Sequence, residues 1–242
     1  FPDNTLFKEL GLNINNDEEI IKNYINVQEK INQKNSIQFL KTHSYLFNIN
    51  NNPFTNLKNS IGAIYIVRDP RNVVTSWANF TNTSVEKAAD VLIKTYQFGG
   101  EKNSTDDPVA TVFMGTWSQN YNSWKSFKHQ QRYLLIKYED LINNRDIFLH
   151  KILKFIHDLN GTKLKIDQKK FDNVVETTSF ERMKNLERTK GFFEATRDLK
   201  TGNKIPFFNL GDKNDWKKLL NVKTSNKIEK AFKNEMTELG YL

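Results

Sequence analysis

The spacing of apolar residues changes several times along the chain, and each change predicts an element. Between residues 17 and 33, Ile20, Ile21, Tyr24, Ile25, Gln28 and Ile31 recur at helical spacing, and Ile37-Gln38-Phe39-Leu40 then reads as a short strand ending at Lys41-Thr42-His43. Ile61 to Val67 is apolar on both faces, the pattern of a buried parallel strand, and stops at Arg68. Asp69-Pro70 is a helix start, with Asp as cap and Pro in the first helical position, leading through Val73 and Val74 to Trp77. Further helices are expected at about 84–98 and 108–128, the latter with Phe113, Trp117, Tyr121 and Trp124 on one face, a stripe better explained by core packing than by a ligand platform. Tyr133 to Tyr138 is the next strand, followed by an amphipathic helix through Ile147, Ile152, Phe155, Ile156 and Leu159. Beyond it come a helix at 167–176, a short helix after Ser179, an irregular stretch from Lys190 to Asn214, and a last helix ending at Leu239. Strands alternating with helices predict a three-layer α/β fold with a central parallel sheet and a helical C-terminal part, binding ligands at the carboxyl ends of its strands. With no repeat or long linker, residues 1–242 read as one domain.

Composition narrows the chemistry. No cysteine occurs in 242 residues, which excludes disulfides, thiolate metal sites and cysteine nucleophiles. The net charge is +8, but Lys and Asn are scattered through the chain rather than gathered in a stripe, so no nucleic-acid partner is expected. The sequons at Asn79, Asn82, Asn103 and Asn160 follow from the same bias. No apolar run approaches the roughly 18–20 residues of a membrane span, and the expected location is the cytoplasm.

The strand ends carry the candidate chemistry. Lys41 and His43 close the first strand, Arg68 the second and Tyr138 the third, which would bring cations, a base and an aromatic ring toward one edge of the sheet. The turn after Arg68 offers free backbone N–H groups and a helix dipole to an anion, with Ser76 a little further along the helix. Arg68 beside Asp69 also fits a local ion pair at a cap. His150 and His157 stand seven apart without an evident third ligand, so no metal site is expected. Asp106-Asp107 and Glu139-Asp140 are adjacent carboxylates that point different ways, a poor arrangement for an acid/base pair.

Five segments in order, Phe39-Leu40-Lys41-Thr42-His43, Ile64 to Ser76 with its Arg68-Asp69-Pro70 turn, Tyr138-Glu139-Asp140-Leu141, Thr178-Ser179-Phe180-Glu181-Arg182-Met183-Lys184 and Asp215-Trp216-Lys217, resemble the PAPS-dependent sulfotransferase family of the cytosolic small-molecule type. The resemblance implies a P-loop-like sulfotransferase fold. It also implies transfer of a sulfuryl group from 3′-phosphoadenosine 5′-phosphosulfate (PAPS) to a hydroxyl or amine of a small-molecule acceptor, leaving adenosine 3′,5′-bisphosphate (PAP), without a metal. His43 would then be the general base, and imidazole is the side chain whose ordinary titration lies nearest neutral pH. Lys41 would add positive charge beside the developing anion. Arg68 and Ser76 match the family's 3′-phosphate contacts, and Tyr138 a nucleotide-contacting tyrosine. Thr178, Ser179, Phe180 and Met183 match the segment that lies on the adenine, although core packing explains Phe180 and Met183 equally well. A homodimer is the candidate assembly.

Two departures qualify the resemblance. Where the family has Arg-Lys-Gly shortly after a Phe, this chain has Phe207-Phe208-Asn209-Leu210-Gly211; the glycine keeps its place and both cations are gone. Backbone N–H groups near Gly211 could still serve a phosphate, and Arg197, Lys204 or Lys213 could return the charge. The family's first strand and its Lys-Ser-Gly-Thr loop for the 5′-phosphosulfate have no counterpart among the ten glycines. The expectation is a sulfotransferase domain lacking its N-terminal strand and phosphosulfate loop, weak or inactive as a fragment. The alternative is a non-catalytic nucleotide- or polyanion-binding remnant of the fold.

Overall fold

In the computed structural model the described residues are 1, 4–34, 36–98, 110–192, 194–198 and 201–242. Their elements run α1 (Asn4–Glu9), α2 (Asp17–Asn32), β1 (Asn48–Ile49), β2 (Asn52–Pro53), β3 (Ala63–Val67), α3 (Pro70–Thr81), α4 (Val85–Ile93), β4 (Tyr96–Phe98), β5 (Val112–Gly115) and α5 (Trp117–Trp124). There follow β6 (Tyr133–Lys137), α6 (Tyr138–Asn143), α7 (Arg145–Leu159), α8 (Gln168–Thr177), α9 (Phe180–Lys190), β7 (Thr196–Arg197), β8 (Lys204–Ile205), α10 (Trp216–Leu219), α11 (Val222–Ala231) and α12 (Lys233–Glu238). The chain divides into two compact units, Phe1–Ala63 with Lys94–Tyr133, and Ile64–Ile93 with Leu134–Leu242.

The first unit is closed by rings. Asn16 caps α2 by accepting from the backbone N–H groups of Glu18 and Glu19, and the helix buries Ile20, Tyr24, Val27, Gln28 and Ile31. Tyr24 meets Phe7, Phe47 and Phe54 at centroid separations of 5.1–5.5 Å, and Phe113 packs on Phe47 at 5.3 Å. The Tyr24 hydroxyl donates to the carbonyl of Thr111 at 3.2 Å, and burial holds its pKa well above the usual phenol range.

Two expectations fail in this unit. The stretch placed in a helix from 108 to 128 is a strand, β5, paired antiparallel with β4, and only then the helix α5; its first two positions lie outside the described residues. Aromatic residues four apart imitate a helical stripe, but Gly115 adopts a left-handed φ of +68°, and Thr116 forms a capping box with Gln119 that starts α5 afresh. Phe113 and Tyr121 are nevertheless core residues, 4% and 2% exposed. The second failure is Ile37–Leu40, which forms no strand, with Ile37, Phe39 and Leu40 exposed. A strand needs a neighbour with matching register, and no ladder reaches this segment among the described residues.

The second unit holds the parallel pair β3–β6 and the helical C-terminal part. Asp69 caps α3 as its Asp-Pro signature predicts, accepting from the backbone N–H of Arg71 at 2.9 Å. β3 is less buried than its composition suggests: Val67 is 2% exposed but Ile66 is 52% exposed, because only one neighbouring strand, β6, pairs with it among the described residues. The helix expected to reach residue 98 ends at Ile93 and gives way to β4.

Candidate functional site

Most residues singled out in the sequence fall in the second unit, and several meet around one guanidinium. Arg68 leaves the end of β3 and donates through Nη1 to Ser76 Oγ at 3.3 Å and through Nη2 to the carbonyl of Gly211 at 3.4 Å. Its guanidinium lies 4.3 Å from the ring centroid of Tyr138, at the start of α6. Glu139 Oε1 is 3.8 Å from Arg68 Nε, too far for a hydrogen bond, and both atoms are buried without a hydrogen-bond partner. A cationic donor with an unused buried N–H is suited to an anion.

The anticipated ion pair of Arg68 with Asp69 is not made. Asp69 instead binds Arg71, whose Nε and Nη2 donate to its two oxygens at 3.0 and 2.7 Å. Arg71 also donates to Glu229 at 2.7 Å and to the carbonyl of Tyr241 at 2.8 Å, and its guanidinium stacks 3.9 Å from the centroid of Trp216. Burial acts to lower the pKa of Arg71, but Asp69 and Glu229 outweigh it and raise the value. Tyr241 in turn donates to Glu139 Oε2 at 3.2 Å, and burial together with that carboxylate drives its pKa far upward. This buried network leaves Arg68 free of Asp69.

Gly211 is the second fixed point. Its φ is +58°, and a Cβ placed there would lie 2.6 Å from the Phe180 ring, so this turn requires glycine. Phe180 opens α9, which Ser179 caps through its hydroxyl to the backbone N–H of Arg182 at 3.3 Å. Thr178 donates to the carbonyl of Val174 at 2.7 Å and ends α8. Phe180 and Met183 are half-buried, and α9 contains no buried residue. Phe207 packs on Phe80, Phe192 and Phe208, and its backbone N–H, like that of Phe208, donates to the carboxylate of Glu187.

Of the substituted positions, Asn209 turns its side chain to Asn79 Oδ1 at 2.9 Å and Leu210 is 36% exposed. Arg197 donates to the carbonyl of Gly202 at 3.1 Å. A further cation at this turn is not among the candidates named from the sequence: Lys184 Nζ donates to the carbonyl of Asn209 at 2.8 Å and lies 5.7 Å from the Phe180 ring. Its position four residues after Phe180, one helical turn on, was the available signal. His150 and His157 share α7, His157 bonding Thr162 at 2.7 Å, and no cluster of metal-ligating residues occurs among the described residues.

His43 and Lys41 belong to the first unit. The segment before them is not the expected strand; both are exposed, and the His43 carbonyl accepts from Asn120 Nδ2 at 2.9 Å. Next to them Ser44 is buried, its carbonyl held by Trp124 Nε1 at 3.0 Å.

The sulfotransferase domain model matches residues 5–240. The chain belongs to the sulfotransferase family. Sulfotransferase 1A1 of Rattus norvegicus is 26% identical over 215 residues, 88% of this chain and 67% of its own length. The 3-beta-hydroxysteroid sulfotransferase of Cavia porcellus is 26% identical over 179 residues, 74% of this chain and 56% of its own. A crystal structure of retinol dehydratase with retinol and PAP shares the fold at a TM-score of 0.53 and 17% identity, covering 84% of this chain and 54% of that one. The sulfotransferase chain thus spans between about half and two-thirds of the length of these relatives. Among its described residues no helix is long and apolar enough to cross a membrane.

Proposed function

We propose that this chain is the nucleotide-binding and base-bearing part of a cytoplasmic sulfotransferase that uses PAPS and releases PAP. The observation that carries the reading is Arg68, with a buried Nε that makes no hydrogen bond and a fork already directed at Ser76 and the Gly211 turn. Three kinds of group there, a guanidinium, a hydroxyl and backbone near a glycine of positive φ, fit the 3′-phosphate of the nucleotide. The half-buried faces of Phe180 and Met183 offer an apolar surface to the adenine, with Thr178 and Ser179 beside them. PAPS supplies the sulfuryl group. His43 takes the proton from the hydroxyl or amine of a small-molecule acceptor, and the Lys41 ammonium offsets the negative charge that develops.

The test is calorimetric titration with PAP. The folded chain should bind it, and Arg68→Ala should weaken binding by about 100-fold, the scale of a charged hydrogen-bonded pair. A folded sample that does not bind PAP, or binds it equally well after the substitution, would overturn the reading.

A second reading, a nucleotide binder without transfer activity, is favoured by Asn209 and Leu210. The first is bonded to Asn79 and the second is apolar, so neither brings charge to the Gly211 turn. Binding of PAP without transfer of labelled sulfate to a panel of phenols and alcohols would select it.

A further inference from the structure

Among the side chains that join the loop bearing Gly211 to α3, that of Asn214 makes several of the bonds. Asn214 is 7% exposed. Its Nδ2 donates to the carbonyl of Asn72 at 3.1 Å and to Ser76 Oγ at 3.0 Å, while its Oδ1 accepts from Thr75 Oγ1 at 2.6 Å and from Asn72 Nδ2 at 3.4 Å. Asn72 Nδ2 also donates to the Asn214 carbonyl. The Asn72 carbonyl can only accept, so the amide has one orientation, with its NH2 group toward Ser76.

The consequence falls on Ser76. Its oxygen is met by Asn214 Nδ2 and by Arg68 Nη1. Both are groups that donate and cannot accept. With both lone pairs engaged, the hydroxyl proton of this exposed serine is left to point away from Arg68 and Asn214. Arg68 Nε, also a donor, makes no hydrogen bond. Beside the Glu139 carboxylate, whose Oε1 lies 3.8 Å from Arg68 Nε, the guanidinium and the serine hydroxyl present donors, the complement of an oxyanion that only accepts.

We propose that Asn214 is a positioning residue for the phosphate-binding site. It sets the Ser76 hydroxyl as a donor, and so selects nucleotides that carry a 3′-phosphate. This rests on the reading of Arg68 and Ser76 as a phosphate site. Asn214→Ala releases the hydroxyl. Asn214→Asp places an acceptor beside it, which captures the serine proton and adds a negative charge.

The experiment is a set of titrations of the folded chain with PAP, with adenosine 5′-monophosphate and with inorganic phosphate, repeated in a Ser76→Ala background. Asn214→Ala should weaken PAP about 5–10-fold and Asn214→Asp more than 30-fold, with adenosine 5′-monophosphate unchanged. In the Ser76→Ala background Asn214→Ala should add less than 2-fold, which a merely structural role would not produce. Equal weakening of both nucleotides, or full additivity with Ser76→Ala, overturns the positioning role. If PAP does not bind but inorganic phosphate does, and Asn214→Asp weakens it through Ser76, the nucleotide reading falls and the positioning role stands. If neither ligand binds, both fall.

Discussion

The two compact units are held together by different physics. The first buries Phe7, Tyr24, Phe47, Phe54 and Phe113 in mutual edge-to-face contact around α2, a core in which most of the stabilisation is apolar area removed from water. The second has apolar contacts of its own, Val67, Val74, Ile136, Ile228 and Met236, but its distinctive interior is polar: Asp69, Arg71, Asn72, Thr75 and Asn214 are all buried and all hydrogen-bonded. An aromatic core tolerates a change of shape at moderate cost, because dispersion and hydration are not directional. A buried network does not, because removing one partner leaves the other desolvated and unpaired. The difference teaches why the candidate nucleotide site lies in the second unit. Directional bonds can aim Arg68 and Ser76, whereas ring packing can only enclose.

The sharpest way to break this contrast is Arg71→Met. It keeps much of the side-chain volume but strands Asp69 and Glu229, and should cost about 3–5 kcal/mol in denaturant unfolding. A loss under 1 kcal/mol would mean that the network does not hold the second unit. In the first unit Phe47→Leu, at a site 2% exposed, should cost less, about 1–2 kcal/mol by the same measurement, since neighbouring rings can relax toward the smaller side chain. If it matched Arg71→Met, the distinction between the two interiors would collapse.

The smallest effect is on pH dependence. Tyr241 and Tyr24 both have folded-state pKa values raised above the ordinary phenol value. Their protonated forms therefore contribute stability that is intact below about pH 10 and lost as pH rises beyond it. Burial is the main cause in both, but Glu139 adds to it only at Tyr241. Glu139→Gln should bring the Tyr241 titration, followed by absorbance against a Tyr241→Phe control, to lower pH and leave Tyr24 unmoved. Equal displacement of both would show that the carboxylate does not act locally.

Much of this was legible in the chain. The Asp69-Pro70 cap, the apolar spacing of α2 and the strand ending at Arg68 are set by interactions within a few residues, and the structure has them nearly where the pattern predicts. The Gly115-Thr116 start of α5 was equally local and was missed because the aromatic stripe outweighed it. Ile37 to Leu40 shows the opposite limit, since its alternation describes residues that suit a strand and carries no information on whether a neighbour pairs with them.

The sequence by itself determined the family, the starts of α2 and α3 and the order of the candidate residues, because each depends on neighbours in the chain. Only the tertiary structure decided that Asp69 binds Arg71 and leaves Arg68 for Ser76 and Gly211, that Lys184 reaches Asn209, and that Asn214 grips α3 from a loop more than 130 residues away. Those are hydrogen bonds between distant groups. Their existence depends on angles and distances within a few tenths of an ångström, which no pattern of residue types encodes.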